Sequence, residues 1–140
     1  MDILDTLNIA GSGLAAQRVR LQTVSSNLAN AQTTRTAEGG PYRRQAPVFR
    51  ADTIDAFGSA LDRQLASVEV ARIEEDRDVR WVHDPDHPDA DGEGMVAYPD
   101  IDVLAEMVDL MTASRAYEAN ANAVEVTRDM ASRALDIGRG

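Results

Sequence analysis

The feature that most constrains this chain is a pair of apolar stripes, one near each end, that repeat with alternating four- and three-residue spacing. In the N-terminal stretch the series reads Ile3, Leu7, Ala10, Leu14, Gln17, Leu21, Val24 and Leu28. Only Gln17 is polar, and Leu7, Leu14, Leu21 and Leu28 recur at heptad spacing. Such spacing puts one continuous stripe on a helix face, so it predicts an amphipathic helix from about Asp2 to Asn30. Gly11 and Gly13 weaken that helix locally, each by about 1 kcal/mol relative to Ala. They point to a helix completed by packing, or to a close approach between backbones. Asn27 and Asn30 stand where the helix should end, because Asn tolerates the left-handed conformation that closes helices.

The C-terminal stretch follows the same rule from about Asp102 to Ile137. Val103, Met107, Leu110, Tyr117, Ala121, Val124, Ala131 and Leu135 keep the spacing, with Ser114 and Arg128 as the exceptions. Leu104, Val108 and Met111 add a second apolar side to its first half. A helix with two apolar stripes needs more than one neighbour. Asp100 or Asp102 can cap its start after Pro99, and Gly138 can close its end.

Between the two lies a turn-rich stretch. Gly39-Gly40-Pro41 is a strong turn signal. Val48-Phe49-Arg50 reads as a short strand, and Ile54, Phe57, Leu61 and Leu65 as a brief helical turn. Val68, Val70 and Ile73 alternate with polar residues and, with Val79 to Val82, predict a β-hairpin. Met95 to Tyr98 adds a third strand. The expected fold is therefore mainly α: long N- and C-terminal helices packed as a coiled-coil-like pair, with a small middle module containing a β-hairpin. The segments are 1–31, 32–99 and 100–140, the two terminal ones forming one core domain.

Composition agrees. Among 140 residues the aromatics are one Trp, three Tyr and two Phe, too few for a thick globular core. The net charge of −10 argues against nucleic acid and anionic membrane surfaces as partners. Between Glu69 and Asp109 there are 14 acidic residues against three Arg, so the termini are nearly neutral and can gather side by side. With no Cys, neither a disulfide framework nor a thiolate metal site is possible. Met1 is followed by Asp2 and Asp5 rather than a basic region, so no cleavable signal peptide is expected. No apolar run is long enough to cross a bilayer, and no direct membrane insertion is expected.

Three chemical motifs bear on function. Asp84 to Glu93 carries closely spaced carboxylates with a Gly, as Ca²⁺ requires, but lacks EF-hand spacing and holds two prolines. It reads as a solvated turn. His83 and His87 are four apart, yet Pro85 and Pro88 oppose the helix that would aim both at one zinc ion. No His has a Ser or Cys partner in a nucleophile motif, and a flat acidic loop offers no pocket for a general acid. Neither enzyme, cofactor nor metal is expected.

The residues also resemble a known family. Ser25-Ser26-Asn27-Leu28-Ala29-Asn30-Ala31-Gln32-Thr33 is similar to the N-terminal signature of flagellar axial proteins, shared by rod and hook subunits. Pro41-Tyr42-Arg43-Arg44-Gln45 followed by Pro47-Val48-Phe49 resembles the proximal-rod branch of that family. So do Asp84-Pro85 through Asp91 with Gly94-Met95-Val96, and Tyr98 through Val108 with Ala113 to Asn120. Asp86, Met95 and Asp100 depart from the family's more usual Gly, Tyr and Asn, which affects details of the turn and its contacts. The resemblance implies a structural subunit of the rod that crosses the bacterial periplasm and carries torque. It implies export through the flagellar type III apparatus. The partners it implies are copies of the chain, other rod proteins and the adapter joining the MS ring to the rod. The assembly interface is expected on Ile3, Leu7, Leu14, Leu21, Val24, Asn27, Leu28 and Asn30 of the first helix. On the second it is expected on Val103, Met107, Leu110, Tyr117, Ala121, Val124 and Leu135. Two other readings remain open on pattern alone, namely a self-contained helix-hairpin adaptor and a metal-binding regulatory module.

Overall fold

The structure, a computed structural model, describes residues 3–53 and 66–139. Two helices carry the fold: α1 (Ile3–Ala29) and α2 (Val103–Arg139). At 27 and 37 residues, they span about 40 and 55 Å at 1.5 Å per residue. Asp102 starts α2, its Oδ1 accepting the N–H groups of Leu104 at 2.9 Å and Ala105 at 3.2 Å. Those two donors have no partner within the helix, which is what an N-cap supplies. The end of α1 differs from expectation. No non-glycine residue among those described has a positive φ. Instead Asn30 folds back, donating its side-chain amide to the Ser26 carbonyl at 2.9 Å. Gly138 does not terminate α2 either, since the helix continues to Arg139.

The helices run antiparallel. Gly13 faces Asn120, Arg20 pairs with Asp109, and Asn27 bonds Glu106. The seam between them is narrower and built of smaller residues than the leucine stripe suggested. The buried positions are Ala10, Ala16, Thr23, Val24 and Asn27 on α1, and Glu106 and Ala113 on α2. Such small side chains let two helices approach closely, and Gly13 marks one such close approach. A Cβ there would lie 2.8 Å from the Asn120 amide nitrogen.

Among the described residues four strands follow α1: β1 (Gln45–Thr53), β2 (Ala66–Glu75), β3 (Val79–His83) and β4 (Met95–Pro99). They form two separate antiparallel ribbons, β1–β2 and β3–β4. The expected hairpin between the Val68–Ile73 and Val79–Val82 segments is therefore incorrect. Residues 76–78 act as a crossing rather than a hairpin turn. The Asp76 N–H is held by the Arg44 carbonyl, and the Asp78 carbonyl accepts the N–H of Asp100. Each side of the crossing thus extends a different ladder. The expected short strand at 48–50 is the middle of the longer β1, with Ala71 bulged opposite the Val48–Phe49 step. The helical turn expected over Ile54 to Leu65 lies outside the described residues.

The β1–β2 ribbon packs on α1, where the Val68 N–H donates to the Ser12 hydroxyl at 3.1 Å. The β3–β4 ribbon is held through the loop after α1. Thr34 and Arg35 both bond Asp89, at 2.8 and 3.3 Å. Gly39 and Gly40, at φ 87° and 76°, make the turn in that loop that the sequence signalled.

Candidate assembly site and family

The C-terminal end of α1, the start of β1 and the first turns of α2 meet at a buried polar cluster. Asn27, 1% exposed, lies at its centre. Its amide nitrogen donates to the Gln45 carbonyl at 2.8 Å and to Glu106 at 3.1 Å. Its oxygen accepts from the Gln45 N–H at 2.9 Å and the Tyr42 hydroxyl at 3.1 Å. All four hydrogen-bonding capacities of the side chain are thereby used. Glu106, 2% exposed, is a carboxylate almost wholly removed from water. The Arg44 guanidinium pairs with it, its Nε 2.7 Å from Oε1 and its terminal nitrogen 2.6 Å away. Removing one partner of such a pair strands the other, at a cost of about 2–3 kcal/mol when one member still reaches water, as Arg44 does. The cluster fixes both helices and β1 to one another.

Sequence patterning marked Asn27 as a helix end and missed Glu106 as a buried group. A signal was present. Glu106, Leu110, Ala113, Tyr117, Asn120 and Val124 share the spacing of a single helix face. Counting a carboxylate as a possible seam residue would have shifted the inner stripe of α2 onto that face.

The residues expected to form an assembly interface fall into three groups. Val24 and Asn27 are buried inside the chain's own seam. Leu7, Leu14, Leu21 and Leu28 on α1, Asn30 just after it, and Leu110, Ala121 and Val124 on α2 are half-buried. Ile3, Val103, Met107, Tyr117 and Leu135 are exposed. The second stripe of α2 is more open still. Leu104 is 72% exposed, and Met107, Val108 and Met111 continue the same uncovered face. Towards its C-terminal end α2 also exposes Val126, Met130, Leu135 and Ile137, the last at 82%.

The acidic loop between β3 and β4 is a stapled turn rather than a freely solvated one. Asp91 Oδ1 accepts the N–H groups of Glu93 and Met95, both at 2.9 Å. Those bonds favour the charged form and hold its carboxyl below the ordinary value. The Thr34 hydroxyl, followed by the Arg35 side chain, does the same for Asp89. His83 sits on β3 and His87 in the loop, where its Nδ1 accepts the Asp89 N–H at 3.1 Å. Among the described residues no group of three or more His, Asp or Glu side chains is arranged to hold a metal ion. No described helix is long and apolar enough to cross a membrane.

Comparison with known proteins matches this architecture end by end. The family model for "Flagella basal body rod protein" matches residues 7–35, covering most of α1 and the start of the following loop. That for "Flagellar basal body rod FlgEFG protein C-terminal" matches residues 93–137, covering β4 and nearly all of α2. Relatives named flagellar basal-body rod protein FlgC span the whole chain. The one from Bacillus subtilis is 42% identical over 99% of this chain and 100% of its own length. That from Borreliella burgdorferi is 38% identical over 100% of both, and that from Salmonella typhimurium 39% identical over 99% and 100%. The chain belongs to the FlgC family of flagellar basal-body rod proteins.

Proposed function

We propose that this protein is a non-catalytic structural subunit of the proximal part of the flagellar rod, working within the basal body. Its terminal segments, 1–31 and 100–140, form the core domain that joins the rod wall. Segment 32–99 is the outward or bridging module. Its neighbours are copies of itself, other rod proteins and the adapter between MS ring and rod, after passage through the flagellar type III export apparatus.

One observation carries this reading: the uncovered apolar face of α2 at Leu104, Met107, Val108 and Met111. Each such side chain gains about 1.5–3 kcal/mol on full burial. A protein working alone would not keep four of them in water on one helix face. Different apolar patches at the two ends of α2 favour heterologous contacts, which repeat into a helical array rather than closing into a dimer. Packed interfaces of this kind pass strain from subunit to subunit, as torque transmission requires.

Val108→Asp tests the reading, since the position is exposed in the single chain and its loss leaves the fold intact. The purified variant is expected to keep its helical circular dichroism, while cells carrying it build no complete rod and do not swim. Complete rods and normal swimming with Val108→Asp would remove this face from the assembly.

A further inference from the structure

The contacts along the helix seam differ in how well they distinguish the observed register from one displaced by a heptad. The leucines of α1 recur every seven residues, so their stripe presents much the same surface after such a slide. The Arg20–Asp109 ion pair discriminates no better. Moving α2 by one heptad replaces Asp109 with Asp102, another carboxylate at the same place. Gly13, opposite Asn120 as observed, would then meet the small Ala113, a contact that also fits. In that displaced register Glu106 would lie opposite Arg20, an alternative cation for its charge. Nothing in these contacts excludes the slide.

Among the side-chain contacts of the seam, only the buried cluster does. Asn27 is bound to the backbone of Gln45 through both its amide nitrogen and its oxygen, which ties it to the start of β1. Arg44 is the neighbouring residue and reaches Glu106 from the same segment. These groups can meet Glu106 in one register alone. After a slide Asn27 would face the chain before α2, and its buried amide would lose its carboxylate partner. We infer that the Asn27–Arg44–Glu106 cluster selects the register of α1 against α2, excluding a specific competitor displaced by seven residues. Single buried polar groups fix register in this way in other paired helices, at some cost in stability.

The chain has no Cys, so engineered pairs report register cleanly. Gly13 meets the Asn120 side chain as observed, and a heptad slide would bring it to Ala113. Gly13→Cys with Asn120→Cys therefore reports the observed register, and Gly13→Cys with Ala113→Cys the displaced one. Both pairs are placed in the full-length chain and equilibrated in a glutathione redox buffer. They are then combined with Glu106→Ala, and separately with Asn27→Leu, Arg44→Met and Glu106→Leu together, which refills the cluster with apolar groups. With the native cluster the first disulfide is expected to dominate. In the apolar variant the displaced disulfide should rise on the order of tenfold, the shift expected when a buried charged contact stops discriminating, with helical circular dichroism retained. An unchanged disulfide ratio with helix retained overturns the inference. Loss of helix in both variants would assign the cluster to stability rather than register, and would overturn it too.

Discussion

Gly11 and Gly13 stand two residues apart on α1 and meet different surroundings. Nothing lies within 4 Å of a Cβ built on Gly11, whereas one on Gly13 would meet the Asn120 side chain. Gly11→Ala is thus expected to stabilise the helix by about 0.5–1 kcal/mol through propensity and a less disordered unfolded chain. Gly13→Ala should show no net gain, because Asn120 must move to admit the methyl group. Urea unfolding of the two variants checks this, and equal stabilisation would deny the close approach. Asp89 and Asp91 supply a second test at this scale. Both carboxyls titrate below the ordinary value of 3.8, so the folded loop holds fewer protons than the unfolded chain near that pH. Their contribution is complete above that value and is lost as pH falls through their lower folded pKa values. The amide proton resonances of Glu93 and Met95 should therefore shift with a midpoint below 3.8. Asp91→Asn, which keeps the acceptor oxygen, should abolish that titration.

The elements show how far patterning reaches. Both long helices were legible because each carries many repeats of one period, and periodicity averages over local exceptions such as Gly11 and Gln17. The strands were legible as segments but not as pairs. Pairing depends on which backbone groups the rest of the fold brings together, and here the Asp76 to Asp78 crossing is held on both sides by other segments. The inner face of α2 was only half legible, since Glu106 and Ala113 carry little hydrophobic signal and yet are buried. Glu106 is buried because Arg44 and Asn27 arrive from elsewhere in the chain, which no local window contains. Asp100 and Asp102, by contrast, were both readable as caps from their place ahead of an apolar-periodic run, and the structure selects Asp102. Asp102→Ala removes the acceptor for two otherwise unpaired N–H groups and should lower stability by about 1 kcal/mol in denaturant unfolding. Asp100→Ala, whose side chain does not cap α2, should change it far less.

At the scale of the whole molecule, the described residues form a helix pair with a thin seam, two antiparallel ribbons and long apolar faces left open. Trp81, 55% exposed on β3, belongs to the same picture of a surface not finished within one subunit. Family membership places such subunits in the basal-body rod, and the open faces of α2 are where the rod would close over them. The methionines offer a direct readout. Met107, Met111 and Met130 are exposed on α2, while Met95 in β4 is half-buried. Peroxide oxidises accessible methionine thioethers, and mass spectrometry resolves each position. The decisive measurement is the oxidation of these four residues in the free full-length chain and in purified basal bodies. Strong protection of Met107, Met111 and Met130 on incorporation, with Met95 changing little, is the result expected. Equal oxidation of the three α2 methionines in both states would contradict assembly through that helix.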